Sequence, residues 1–141
     1  MNRRTRVLGK FGPLALLACG LSALAGCSRP GQKTEDFTPP SDKARQALES
    51  ALTHWKSGQQ PGKVPNTSPT VEVTDSKWKG GQKLKEYEIL AEEPGTDPRF
   101  FKVRLTPPTG PAQEVRYAVV GIDPLLVFRE EDFKALSGTG K

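Results

Sequence analysis

The hydrophobic period of this 141-residue chain changes once, and that change limits the folds open to it. Between residues 41 and 57, Ala44, Ala47, Leu48, Ala51, Leu52 and Trp55 recur at three- and four-residue spacing, which puts them on one stripe of a helix. Ser41 suits the N-cap, Asp42 the positive end of the helix dipole and Lys56 the negative end, and Gly58 can take the left-handed stop. From residue 70 the period is two. Residues 70–75 alternate on Val71 and Val73, and residues 83–92 carry Leu84, Tyr87, Ile89 and Leu90. Residues 99–106 place Phe101, Val103 and Leu105 on one face, with Phe100, Lys102 and Arg104 on the other. Val115, Tyr117 and Val119 turn inward in residues 114–121, and residues 125–129 form a short apolar run.

The connections between these strands are short and rich in Pro, Gly and Asp, as at Pro94-Gly95, Pro107-Pro108 and Asp123-Pro124. Short turns between successive strands imply antiparallel neighbours. The expected class is therefore α+β, with one N-terminal helix packed on a four- to five-stranded antiparallel sheet. It would form a single domain over residues 41–136, with a frayed tail at 137–141. In element order the chain resembles the cystatin-like and nuclear-transport-factor-like folds, and that resemblance implies a curved sheet around the helix. Trp78-Lys79-Gly80-Gly81 leading to Leu84 and Tyr87 also resembles small bacterial lipoproteins with a helix-then-sheet domain, which bring no assigned activity. The helix pair that closes an enzyme pocket in larger members of the fold group is missing, which argues against catalysis.

The first thirty residues carry the sharpest signal. Arg3, Arg4, Arg6 and Lys10 precede fifteen largely apolar residues, 11–25, and no acid lies among the first 26. A membrane span needs about 20 apolar residues, so this run reads as an export signal. Leu24-Ala25-Gly26-Cys27 resembles the lipobox of bacterial lipoprotein precursors. The resemblance implies cleavage between Gly26 and Cys27, removal of residues 1–26 as a signal peptide, and a diacylglycerol thioether on Cys27. Acylation of the new amino group, as by palmitate, often follows. Two or three acyl chains anchor stably where one holds marginally. Residues 27–40, with three prolines and mixed charge, would be the flexible tether.

Without the first 26 residues, the net charge falls from +5 to +1. That near-neutral balance and the exported address exclude a nucleic-acid partner. No P-loop, nucleophile elbow, dinucleotide fingerprint or HExxH pattern occurs, and the acids Asp75, Asp97, Asp123 and Asp132 are scattered. His54, the only histidine, has no ligand partner at helical spacing. No cofactor, metal or catalytic residue is indicated.

Trp55, Trp78, Tyr87, Phe101 and Tyr117 could line a pocket between helix and sheet or meet a partner, although core packing is the commoner fate of such rings. Trp78 either anchors a partner or plugs the open end of the sheet. Lys102, Arg104 and Arg116 would meet anionic glycan or lipid headgroups if strand pairing brought them together. Glu130-Glu131-Asp132 would open a helix with Phe133 and Leu136 folded back on the core. The expectation is a monomeric lipoprotein of the cell envelope, held on a membrane by its lipid and facing the periplasm or the exterior. It would act as a binding or structural module for an envelope protein or glycan. The competing class is a small-ligand carrier or enzyme using the helix–sheet cavity.

Overall fold

The computed structural model describes residues 37–95 and 98–138. The expected export signal over residues 1–26, the expected cleavage and lipidation site at Gly26 and Cys27, and most of the expected tether lie outside the described residues. The elements in chain order are α1 (Ser41–Lys56), β1 (Lys63–Val64), β2 (Val71–Thr74), α2 (Ser76–Lys79), β3 (Glu86–Glu92), β4 (Arg99–Thr106), β5 (Gln113–Val120), β6 (Leu125–Arg129) and α3 (Glu130–Ser137).

The helix forms where the stripe requires it. Ala44, Ala47, Leu48, Ala51, Leu52 and Trp55 are its buried residues. Its N-cap is Pro40, however, and not Ser41. The Ser41 hydroxyl donates instead to the Glu92 carboxylate, which ties the first turn to β3. Gly58 ends α1 with φ +82°, a conformation that lets its N–H reach the Trp55 carbonyl at 2.8 Å.

The sheet has six strands in the order β1-β2-β6-β5-β4-β3 and is mixed, which corrects the expected four- to five-stranded antiparallel arrangement. β3 through β6 form the antiparallel meander that short turns dictate. β2 instead pairs in parallel with β6, in the register Val71↔Leu125 and Val73↔Val127. Turn length constrains only strands adjacent in sequence, and more than fifty residues of chain separate these two. The two-residue β1 and the four-residue α2 are absent from the periodicity because each holds a single apolar residue and neither is long enough to repeat it.

One helix meets both edges of this sheet. Thr53 and Tyr87 share a hydrogen bond of 2.8 Å, and Lys56 pairs with Glu86 at 2.9 Å, while α1 also packs on β1. Six flat strands would measure roughly 24 Å across, against about 10 Å for a helix. The sheet therefore curls around α1. Phe101, Val103, Leu105, Tyr117, Val119 and Val127 fill the concave side at no more than 1% exposure.

The opposite face carries a second layer. Phe133 of α3 packs on Phe100 and Phe128, with ring centroids 6.2 and 5.8 Å apart. Leu136 does not fold back as expected and is 69% exposed, while Phe133 alone of the expected pair packs on the sheet. The last residues before α1 are also held. Pro39 is buried, its carbonyl accepts from Arg99 Nε at 2.5 Å, and the Phe37 carbonyl accepts from the Gly121 N–H at 2.8 Å. Gly121 is required there, since its φ is +86° and a Cβ would lie 2.5 Å from the Pro124 carbonyl oxygen.

Candidate functional site

The inward alternation of two neighbouring strands ends in charge. After Val71 and Val73 the next inward residue is Asp75, and after Leu125 and Val127 it is Arg129. The parallel register brings these two ends level, and β5 sets Tyr117 opposite Arg129. The Asp75 carboxylate accepts from the Tyr117 hydroxyl at 2.6 Å and from Arg129 Nη1 at 3.2 Å. It also accepts the backbone N–H groups of Lys77 and Trp78 at 2.9 and 3.1 Å, which caps α2 and turns the chain out of the sheet. All three side chains are buried. Burial holds the Tyr117 hydroxyl well above its ordinary pKa, and the adjacent Asp75 charge adds to the effect. Arg129 Nε lies 3.4 Å from the exposed Glu131 carboxylate, without hydrogen-bond geometry.

Beside this cluster is a half-open cleft of about 550 Å³ between Gln60–Gly62, the end of β2 and Asp132. Asp75, Ser76 and Lys79 contribute to its wall, and Asp132 accepts the Ser76 N–H at 2.8 Å. A general base needs a lone pair directed at substrate. The lone pairs of Asp75 are taken up by four protein donors, so the cluster is suited to joining β2, α2, β5 and β6. The free polar groups of the cleft belong to its rim. A second, shallower trough of about 640 Å³ runs over the outer side of α1 past His54, Asn66 and Tyr87.

Trp55, Trp78, Phe101 and Tyr117 are each at most 4% exposed, and Trp55 and Trp78 border a small cavity of about 30 Å³. Trp78 is the plug. It stacks on Trp55 at 5.2 Å, and its indole N–H donates to the Gln59 carbonyl at 2.8 Å. Tyr87 is half-buried at the trough. His54 sits edge-on to Trp78 at 6.1 Å. Among the described residues no group of three or more His, Cys, Asp or Glu side chains could hold a metal ion, and no helix is long and apolar enough to cross a membrane.

The expected cationic cluster on the convex face forms only in part. Lys102 and Arg116 are cross-strand neighbours, but Arg104 pairs with Glu88 at 3.1 Å, and Arg116 is clamped by Glu93 and Glu130 over the Phe100 ring. Its hydrogen bond to Glu93 raises the Arg116 pKa further, so this guanidinium is engaged internally. Sequence reasoning missed Asp75 and Arg129. The signal was present: both are charged residues at positions where strand alternation demands an apolar one. No family profile matches this chain, and neither curated proteins nor solved structures show significant similarity to it.

Proposed function

We propose that this chain is an exported lipoprotein whose α+β domain serves as a binding or structural module at the cell envelope. The observation that carries the reading is Leu24-Ala25-Gly26-Cys27 behind a cationic start and a short apolar run. Cleavage before Cys27 would leave residues 27–40 as the tether, of which ten, 27–36, precede the hydrogen bond that the Phe37 carbonyl accepts from Gly121. Those ten reach about 17 Å as a coil and roughly 35 Å stretched. A filled aromatic core and a saturated buried carboxylate support a module that binds through its surface. The test is metabolic labelling with palmitate and mass spectrometry of the mature amino terminus. The wild type is expected to carry label and to begin at Cys27, and Cys27→Ser to lose both features. Label that survives the substitution removes the reading.

The cleft beside Asp75 favours a second reading, a carrier of a small polar ligand held by Gln60, Lys79 and Asp132. Ligand-induced thermal stabilisation that disappears in Asp132→Ala would support this alternative.

A further inference from the structure

α1 carries a polar stripe next to its buried one. Gln46, Ser50, Thr53 and Ser57 recur at three- and four-residue spacing, and all four line the trough of about 640 Å³ on the outer side of the helix. None is charged, although the solvent face of such a helix is commonly charged. Serine and threonine are weaker helix formers than alanine, lysine or glutamate, so the stripe gives up helix stability for hydroxyl groups. A smaller hollow of about 210 Å³ shares Gln46, Ser50, Asn66 and Thr67 with the trough, so the two form one groove. From Gln46 to Ser57 it follows α1 for about 16 Å.

The other wall, residues 64–67, is fixed by its own hydrogen bonds. The Thr67 hydroxyl donates to the Val64 carbonyl at 3.1 Å and accepts the Val71 N–H at 3.0 Å. Asn66 sits on this wall with φ +60°, and among the described residues no other non-glycine residue has a positive φ. Glycine would hold that conformation at less cost, so the amide is what asparagine adds there. Among the described residues the side chains of Gln46, Ser50 and Asn66 have no hydrogen-bond partner. The lining holds little charge. Glu49 is paired with Arg45 at 3.1 Å, and Lys43 borders only the smaller hollow.

We infer that this groove binds a neutral oligosaccharide. A sugar hydroxyl both donates and accepts, and it is matched by groups that do the same, the amides and hydroxyls of both walls. An ion needs unpaired charge, which the trough does not offer. An apolar ligand needs apolar lining, but Ala47, Val64, Val71 and Leu125 are at most 5% exposed. A peptide strand needs an edge to extend, and β1 has two residues followed by Pro65, which has no N–H. The half-buried Tyr87, held to Thr53 at 2.8 Å, offers the C–H side of a sugar ring a surface to lie on. The groove is longer than one sugar ring, so its ligand is a chain. Walls already fixed spare binding the entropy of ordering them. The inference names a ligand for the binding-module reading and rests on the envelope reading only for where such a glycan is met.

The test is an array of neutral gluco-, manno-, galacto- and N-acetylglucosamine oligosaccharides, each as a length series from the monosaccharide upward, with polygalacturonate fragments alongside. It is probed with the full chain purified in a sugar-free detergent, and the tightest binder is then titrated by calorimetry. A trisaccharide is expected to bind roughly tenfold more tightly than its monosaccharide, as one or two added hydrogen bonds imply. Raising the salt should change affinity by about twofold or less, since no charge is neutralised. Gln46→Ala and Asn66→Gly should each weaken binding roughly fivefold, and together roughly twentyfold. Both substitutions suit their backbone, so melting should be unchanged or raised. Gln113→Ala, which removes an exposed amide on β5, should leave binding unchanged. Absence of binding to every neutral member overturns the proposal. So does a preference for polygalacturonate that salt abolishes, or an equal loss in Gln113→Ala and Asn66→Gly. Binding lost in Asp132→Ala but kept in Asn66→Gly would put the sugar in the cleft beside Asp75 and overturn it as well. None of these outcomes depends on palmitate labelling, so failure of the groove and failure of the lipid anchor remain distinct.

Discussion

The pair β2–β6 has two halves that obey the same geometry and opposite energetics. In the first half, Val71 with Leu125 and Val73 with Val127 bury apolar surface, and each contributes independently of its exact partner. In the second half, Asp75, Arg129 and Tyr117 occupy the same inward positions and are as deeply buried. Their contribution depends on all three being present, since a charge removed from water is tolerated only with its partners. The difference teaches that an apolar contact fails by degrees and an ionic one fails whole.

Substitutions in each half test that contrast. Asp75→Ala should be the most damaging, lowering unfolding free energy by about 3–5 kcal/mol in denaturant titrations, because Arg129 is left buried without its carboxylate. Replacing both charges, Asp75→Leu with Arg129→Met, in a Tyr117→Phe background that leaves no buried hydroxyl without an acceptor, should recover most of that loss. The loss of the α2 cap would persist, at about 1 kcal/mol. If the combined variant is as unstable as Asp75→Ala, the ionic half is not a separable unit. Val127→Ala, in the apolar half, should cost about 2 kcal/mol and leave the response to pH unchanged.

Tyr117→Phe should cost about 1 kcal/mol at neutral pH through loss of the hydrogen bond to Asp75. Its sharper signature is in alkali. The folded hydroxyl has a raised pKa, so above about pH 10 the unfolded chain releases a proton that the native state keeps. Native stability should therefore fall as pH rises beyond that point, and Tyr117→Phe should remove this component of the fall. The smallest effect is expected for the exposed Lys56–Glu86 pair. Lys56→Gln should shift stability by no more than about 0.5 kcal/mol, and salt should erase the shift.

Much of the scaffold was legible before any coordinates. The α1 stripe named all six of its buried residues, and the alternation over residues 99–106 and the apolar run at 125–129 gave β4 and β6 their observed bounds. These features are legible because each depends on neighbours within a few residues. The candidate site was not. Asp75 stood among scattered acids and Arg129 closed an apolar run, and neither has a sequence neighbour that explains it.

Local pattern alone set α1, the order of the longer strands and their buried faces, and it holds the cationic and apolar stretch ending at Cys27 on which the envelope reading stands. That β2 lies parallel to β6 and that opposite charges meet beneath the cleft emerged from the folded arrangement alone. The physical reason is range. Periodicity records which side of an element avoids water, whereas charge pairing is settled between residues more than fifty positions apart, as for Asp75 and Arg129.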